Sequence, residues 1–333
     1  MEKINIGVIG VGHLGSLHAK MLSTIDSVKL TGVFDADGER AENVANEFQT
    51  KSFNSIEELL EKVDAVSIAT PTIMHHAVAL KALNAGKHVF IEKPITETIE
   101  QAEDLVLKAR EKNLKIQVGH IERFNPALLS IDQLKLQPLF IESHRLAQFN
   151  PRGTDVAVIH DLMIHDIDII LSLVKSKVTN IAANGVAVVT NNIDIANARI
   201  QFENGCVANV TASRISASKM RKMRLFQRDA YISLNFLEGT TEVYRLIDIN
   251  DNTTPSTMLL GMVDSANKKI IYNKPPRKEV NALKYELELF IDCIANDKEP
   301  EVTAEDGKRA LEVAHEIIKK IDEQNTKLKE PVR

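Results

Sequence analysis

The chain has 333 residues, 44% of them hydrophobic and 26% charged, with a net charge of −5, a profile of an ordinary globular protein with room for two domains. Mild acidity gives no reason to expect nucleic acid or an acidic membrane as partner, and no apolar run approaches the ~20 residues of a spanning helix. The two cysteines, Cys206 and Cys293, lack metal-like spacing, so they imply no disulfide framework and fit a reducing compartment.

A buried parallel strand is expected over Ile4 to Ile9, so close to Met1 that no signal peptide fits, and a cytoplasmic protein is expected. The strand runs into Gly10-x-Gly12-x-x-Gly15 and then a helix from Ser16. Gly10 permits the tight turn, Gly12 admits a pyrophosphate, and Gly15 lets helix pack close on strand. The helix N-terminus then offers free N–H groups to the anion. A second strand, Val28 to Phe34, ends in Asp35, about 20 residues past the last glycine, where the dinucleotide fingerprint places an acid for the ribose hydroxyls. A structureless glycine-rich turn is the bland alternative. Gly10, Gly12, His13, Leu14, Gly15 and Asp35 are therefore candidate cofactor contacts. Asp35 repels a 2′-phosphate and so favours NAD over NADP.

Strand and helix then alternate. A helix is expected over Gly38 to Phe48, and Ser55 with Glu58 has capping-box spacing for another. Asp64 to Ala69 is a buried strand stopped at Thr70-Pro71. His75 to Ala85 is a helix closed by Gly86. Lys87 to Ile91 is a strand ending in Glu92-Lys93-Pro94, followed by a helix over Glu97 to Lys112 and a strand over Lys115 to Gly119. The pattern is an open, doubly wound parallel sheet with ligands at the carboxyl ends of its strands.

Beyond residue 122 the pattern changes. A helix over Asp161 to Leu173 precedes strand-like runs at 178–189, 196–202, 206–212, 223–227, 230–236 and 242–246. Asn204-Gly205 and Glu238-Gly239 are turn signals between them. Two amphipathic helices, 279–296 and 303–324, close the chain. The division expected is a nucleotide-binding domain over 1–122 and an α+β domain over 123–333, the latter with a large, mainly antiparallel open sheet.

The densest titratable cluster is His160 to Asp168. On an α-helix Asp161, His165 and Asp168 share one face, which suits a histidine base flanked by carboxylates. A solvated helix face and a metal site are the alternatives, and the metal reading suffers because the histidines are five apart, not on one face, with no cysteine to join them. Lys93, after a strand that ends at the crevice, is either a strand-end charge or an active-site donor. Arg214 to Arg228 carries six cations, fit either to neutralise a diphosphate or carboxylate or to protect a sheet edge. Arg145 and Arg152 are further cations without a decided role. No chemistry is assigned to the side chains of His13, His18, His88, His120 or His144.

Several stretches together resemble the Gfo/Idh/MocA oxidoreductases: Gly10 to Gly15, Thr70-Pro71-Thr72 with His75, Ala85 to Val89, Glu92-Lys93-Pro94, Asp161-x-x-x-His165-x-x-Asp168, Glu286-x-x-x-Phe290 and Val302 to Gly307. The resemblance implies a Rossmann domain followed by an α+β substrate domain, and hydride transfer between a sugar-type hydroxyl and NAD. It implies Lys93, Asp161 and His165 as the catalytic set, with Thr70, Pro71, His75, Glu92 and Lys93 lining the cofactor crevice. The Asp161 to Asp168 run looks most like the branch acting on nucleotide-linked sugars such as UDP-N-acetylglucosamine. Arg123, Asn125, Arg152 and Arg214 are then candidate substrate contacts. One glycine, Gly153, stands before Asp161 where many relatives carry two or three. The alternatives are a free polyol or inositol dehydrogenase, an NADP-dependent aldose reductase, or a regulator that binds NAD(H) without turnover. An open sheet with one uncovered face predicts a homodimer or homotetramer through that sheet.

Overall fold

The structure, a computed structural model, describes residues 3–150, 156–251, 258–263 and 267–329. The chain forms two units, Met1–Phe124 with Val280–Leu311, and Asn125–Glu279 with Glu312–Arg333.

The first unit is built on strands β1 (Ile4–Ile9), β2 (Val28–Phe34), β3 (Lys51–Ser52), β4 (Ala65–Ile68), β5 (His88–Glu92) and β6 (Ile116–Gly119). They lie in the order β3-β2-β1-β4-β5-β6, every pair parallel. Helices α1 (His13–Leu22), α2 (Gly38–Glu47), α3 (Ile56–Leu60), α4 (Thr72–Asn84) and α5 (Ile99–Lys112) connect them. Strand order reverses between β1 and β4, where such a sheet opens its ligand crevice. Residues of β4 and β6 are buried throughout, as apolar runs covered on both faces must be. Helix α4 begins at Thr72, one turn before the expected His75, because Pro71 already holds an extended backbone at its start.

After a 3-10 turn over Ile121–Phe124, the second unit opens with α6 (Pro126–Leu129) and β7 (Phe140–Leu146). A π-helical turn over Ile159–Met163 leads into α7 (Ile164–Val174). Strands β8 (Val178–Val186), β9 (Ile195–Phe202), β10 (Val207–Ser213), β11 (Met220–Gln227), β12 (Ala230–Asn235), β13 (Thr240–Asp248), β14 (Met258–Val263) and β15 (Lys268–Asn273) follow. The sheet has nine strands ordered β14-β15-β13-β12-β11-β7-β10-β9-β8. Its one parallel pair among the described residues is β7 with β10. Gly205 and Gly239, at φ +85° and +65°, make the two hairpin turns read from the sequence. One side of the sheet packs inward. The other carries a cross-strand ladder of Phe140, Phe226, Tyr231, Tyr244 and Tyr272, with successive ring centroids 5.0–5.6 Å apart.

Two expectations are corrected here. The basic stretch is no sheet edge: β11 lies between β12 and β7, because Met223 and Leu225 supply the buried alternation of an interior strand. The closing helices do not all belong with the second unit either. Helix α8 (Ala282–Ala295) and the start of α9 (Ala304–Lys329) complete the first. Leu287, Phe290 and Ile291 share a core with Ile6, Val8 and Leu22, and the Phe290 ring meets Phe90 edge-on at 5.8 Å. Burial of these large side chains outweighs continuity in sequence.

Candidate active site

In the first unit the glycine loop has the geometry its spacing predicts. Gly10 takes φ +83° and donates its N–H to the Phe34 carbonyl at 2.8 Å. A Cβ on Gly15 would lie 1.8 Å from the Gly10 oxygen, whereas one on Gly12 would meet nothing within 4 Å. Gly15 is therefore demanded by packing, and Gly12 by open space in front of the first turn of α1, where an anion is favoured. Asp35 closes the loop from β2: Oδ2 accepts from the Val11 N–H at 2.8 Å, and Oδ1 accepts from Asp37 N–H and from Arg40 Nη1. Thr70 Oγ1 is buried with no hydrogen-bond partner among the described residues. Leu14, Ile73 and Met74 leave large apolar surface exposed in the first turns of α1 and α4. Open space, an unsatisfied hydroxyl and exposed apolar side chains beside a ribose-type acid fit a dinucleotide.

Glu92 and Lys93 follow β5 at the same edge, and the Lys93–Pro94 peptide is cis. Lys93 is half-buried, and its backbone N–H donates to Glu92 Oε2 at 3.3 Å. Burial alone would raise the Glu92 carboxyl. The hydrogen bond from His18, the His18 charge and the neighbouring Lys93 outweigh it, and the group is held below the usual glutamate value. His18, given no role from sequence, is fully buried with Nε2 3.0 Å from Glu92 Oε1 and Nδ1 2.7 Å from Ser67 Oγ. Its signal was the inward face of α1, which it shares with Gly15 and Leu22, opposite a serine in an otherwise apolar strand.

His75, expected as a crevice contact, is held by backbone. It is buried, with Nδ1 and Nε2 each 2.9 Å from a carbonyl oxygen, those of Pro94 and Thr70. Both ring nitrogens are used on backbone. Arg123, an expected substrate contact, donates to Asp306 Oδ2 at 3.2 Å and to the Glu301 carbonyl at 3.3 Å.

In the second unit Asp161 lies in the π-helical turn and His165 in the first turn of α7 that follows it. A wider turn with i→i+5 bonding breaks the 3.6-residue period just where Asp161 lies. Asp161 keeps about a third of its side chain exposed and has Arg214 Nη2 3.9 Å from Oδ2. Arg214 is itself buried and donates to the Val156 carbonyl at 2.7 Å. His165 lies half-buried in the first turn of α7, and Asp168 is buried. His160 points elsewhere, its ring 5.1 Å from that of His315. Asn125, an expected substrate contact, caps α6 through Ala127 N–H and donates to the Phe236 carbonyl at 3.1 Å. Arg152 lies outside the described residues. Arg145, undecided from sequence, is buried and paired to Asp166.

Comparison with known proteins agrees with this arrangement. Residues 4–120 match the family model of an oxidoreductase family with an NAD-binding Rossmann fold, and residues 140–233 match the GFO/IDH/MocA C-terminal domain. The chain belongs to the Gfo/Idh/MocA oxidoreductase family. It is an NAD-binding oxidoreductase, and both the parallel and the mainly antiparallel sheet are those of the family. UDP-N-acetylglucosamine 3-dehydrogenase of Acidithiobacillus ferrooxidans is 40% identical over 318 residues, 95% of this chain and 97% of its own. A solved structure of that protein superposes with a TM-score of 0.87 at 39% identity, covering 96% of this chain and 98% of the other. The scyllo-inositol 2-dehydrogenase (NAD(+)) of Bacillus subtilis is 30% identical over 333 residues, 94% of this chain and 92% of its own.

Proposed function

We propose that the chain oxidises a nucleotide-linked sugar, UDP-N-acetylglucosamine or a close relative, at a ring hydroxyl with NAD as acceptor. What carries this reading is the whole-length likeness to a UDP-N-acetylglucosamine 3-dehydrogenase at 40% identity. The buried Arg214 beside Asp161 agrees with it, since a guanidinium suits a diphosphate or carboxylate. The glycine loop, Asp35, Thr70 and Pro71 hold the dinucleotide, whose nicotinamide accepts the hydride when bound. His165 takes the hydroxyl proton as the C–H hydride leaves, so the alcohol becomes a ketone and one proton is released through the imidazole. Asp161 orients His165. Lys93 donates a hydrogen bond to the reacting hydroxyl and the nicotinamide ribose.

A free polyol such as inositol is the second reading, favoured by the 30% identity to the scyllo-inositol enzyme. The experiment is turnover of NAD with UDP-N-acetylglucosamine, its uronate, myo-inositol and common aldoses, with a coupled aminotransferase to draw off a keto product. Reduced cofactor with UDP-sugars alone, lost in Lys93→Ala and His165→Ala, supports the proposal. Turnover with inositol alone replaces the substrate and keeps the mechanism. NADH binding without turnover turns the reading towards a regulator.

The protein works in the cytoplasm as a homodimer or homotetramer joined through the sheet of the second unit. The aromatic ladder on the outer side of that sheet supports this assembly. Among the described residues no helix is long and apolar enough to cross a membrane. Light scattering at micromolar concentration tests the assembly, and a monomer would refute it.

A further inference from the structure

Two buried histidines grip the residues on either side of Lys93. From α1, His18 reaches the Glu92 carboxylate at 3.0 Å and Ser67 Oγ at 2.7 Å. A carboxylate only accepts, so Nε2 carries the hydrogen. Ser67 Oγ, which can donate or accept, partners Nδ1 on the other side, so both ring nitrogens are held. Glu92 is confined from the other side as well: it pairs in register with Gly119, and a Cβ there would come within 2.9 Å of Oε1. Its second oxygen accepts the Lys93 N–H. From α4, His75 bridges the Pro94 and Thr70 carbonyls at 2.9 Å each.

Neither histidine is a solvent-facing charge or an apolar filler. Both are almost completely buried, and each polar ring atom is aimed at the Glu92-Lys93-Pro94 turn or at the strand end beside it. Fixing the residues before and after Lys93 fixes the backbone from which its side chain extends. We infer that His18 and His75 are positioning residues that set the Lys93 ammonium, His18 through the Glu92 carboxylate and His75 through the Pro94 carbonyl. The inference rests on the reading of Lys93 as the residue that meets the substrate hydroxyl.

The test uses His18→Leu, which removes both hydrogen bonds, and His18→Gln, whose amide can donate to Glu92 and accept from Ser67. In the full-length protein His18→Leu lowers kcat by about 30-fold, the scale of a small misplacement of a catalytic group. NADH affinity, read by cofactor fluorescence, stays within about 3-fold, and His18→Gln recovers most of the loss. Because His18 acts through Lys93, adding His18→Leu to Lys93→Ala costs nothing beyond Lys93→Ala alone. An equal loss on both backgrounds, or a lowered Tm with kcat unchanged in both His18 variants, overturns the inference. If His18→Leu does not fold, Ser67→Ala carries the same test by removing the partner that holds Nδ1. Full activity in Lys93→Ala overturns the reading beneath it instead. Should the parent protein show no turnover, pyridoxal phosphate and borohydride labelling decides: His18→Leu changes modification of Lys93 by about 3-fold or more relative to exposed Lys62, and an unchanged ratio refutes the clamp.

Discussion

Arg145 and Asp166 form a bidentate ion pair inside the second unit, Nε to Oδ2 at 3.0 Å and Nη2 to Oδ1 at 2.9 Å, with both side chains about 2% exposed. The pair ties β7 to α7 at the residue next to His165. Removal of one partner leaves a buried charge without its counter-ion, which costs about 3–5 kcal/mol. Arg145→Met is therefore expected to unfold at much lower urea, and Arg145→Met with Asp166→Leu to recover a large part of that loss. The chain has no tryptophan, so far-UV circular dichroism is the suitable probe.

Two glycines of one loop should fail in different ways. Gly15→Ala drives a methyl into the Gly10 carbonyl, and loss of the folded first unit is expected, seen as a lowered Tm without cofactor present. Gly12→Ala meets no protein atom, so Tm is expected within a few degrees of the parent while NADH affinity falls by about 10-fold or more. Tight NADH binding in Gly12→Ala would place the pyrophosphate elsewhere.

Cofactor choice rests on Asp35 and on the arginine it holds. Arg40 Nη1 lies 3.2 Å from Asp35 Oδ1 and is about half exposed. Asp35→Ser removes the charge that repels a 2′-phosphate and releases Arg40 to meet it. The kcat/KM ratio of NADP to NAD should rise by about 100-fold. Steady-state kinetics with both cofactors checks this, and an unchanged ratio would assign the selection to other residues.

Acid stability follows from the buried rings. Burial lowers His75 and His88 below their ordinary 6.5, with Lys115 adding to the effect at His88. The unfolded chain then binds more protons than the folded one between the lowered values and 6.5, so stability rises with pH across that window and is level above it. Tm should fall as pH drops below 6.5, and less steeply in His75→Gln.

A second acid step belongs to Asp194. Burial opposes its charge, yet N–H groups of Val188, Val189 and Thr190 and the Thr190 hydroxyl hold the carboxyl down to about 2 from 3.8. That stability is present above 3.8 and is lost as pH falls through about 2. Asp194→Asn is expected to cost about 2 kcal/mol or more at neutral pH, since an amide cannot accept from all four donors.

The parallel sheet was legible because its strands are continuous apolar runs punctuated by glycine and proline, and the cofactor loop because glycine spacing has a direct steric meaning. Strand β7 escaped reading: its inward positions include Ser143 and Arg145, and the apolar alternation breaks where Arg145 finds Asp166. The helix carrying Asp161 and His165 was placed correctly, but its π turn was not, since an extra residue in a turn leaves no mark in residue type. His18, His75, Arg123 and Asn125 illustrate the harder limit. Sequence names polar side chains near a site and says nothing of whether they face the ligand or the backbone behind it.

The edge-on contact of Phe90 with Phe290 sets a condition on biosynthesis. The nucleotide-binding unit is not finished when its last sheet strand leaves the ribosome, because the apolar surface around Phe90 and Val8 awaits α8. Residues 125–279 are made before that cover arrives, so at ordinary elongation rates the interval between residues 124 and 311 lasts roughly 10–40 s. During that interval the nascent chain presents an open apolar flank, the kind of surface that makes an incomplete unit prone to aggregation.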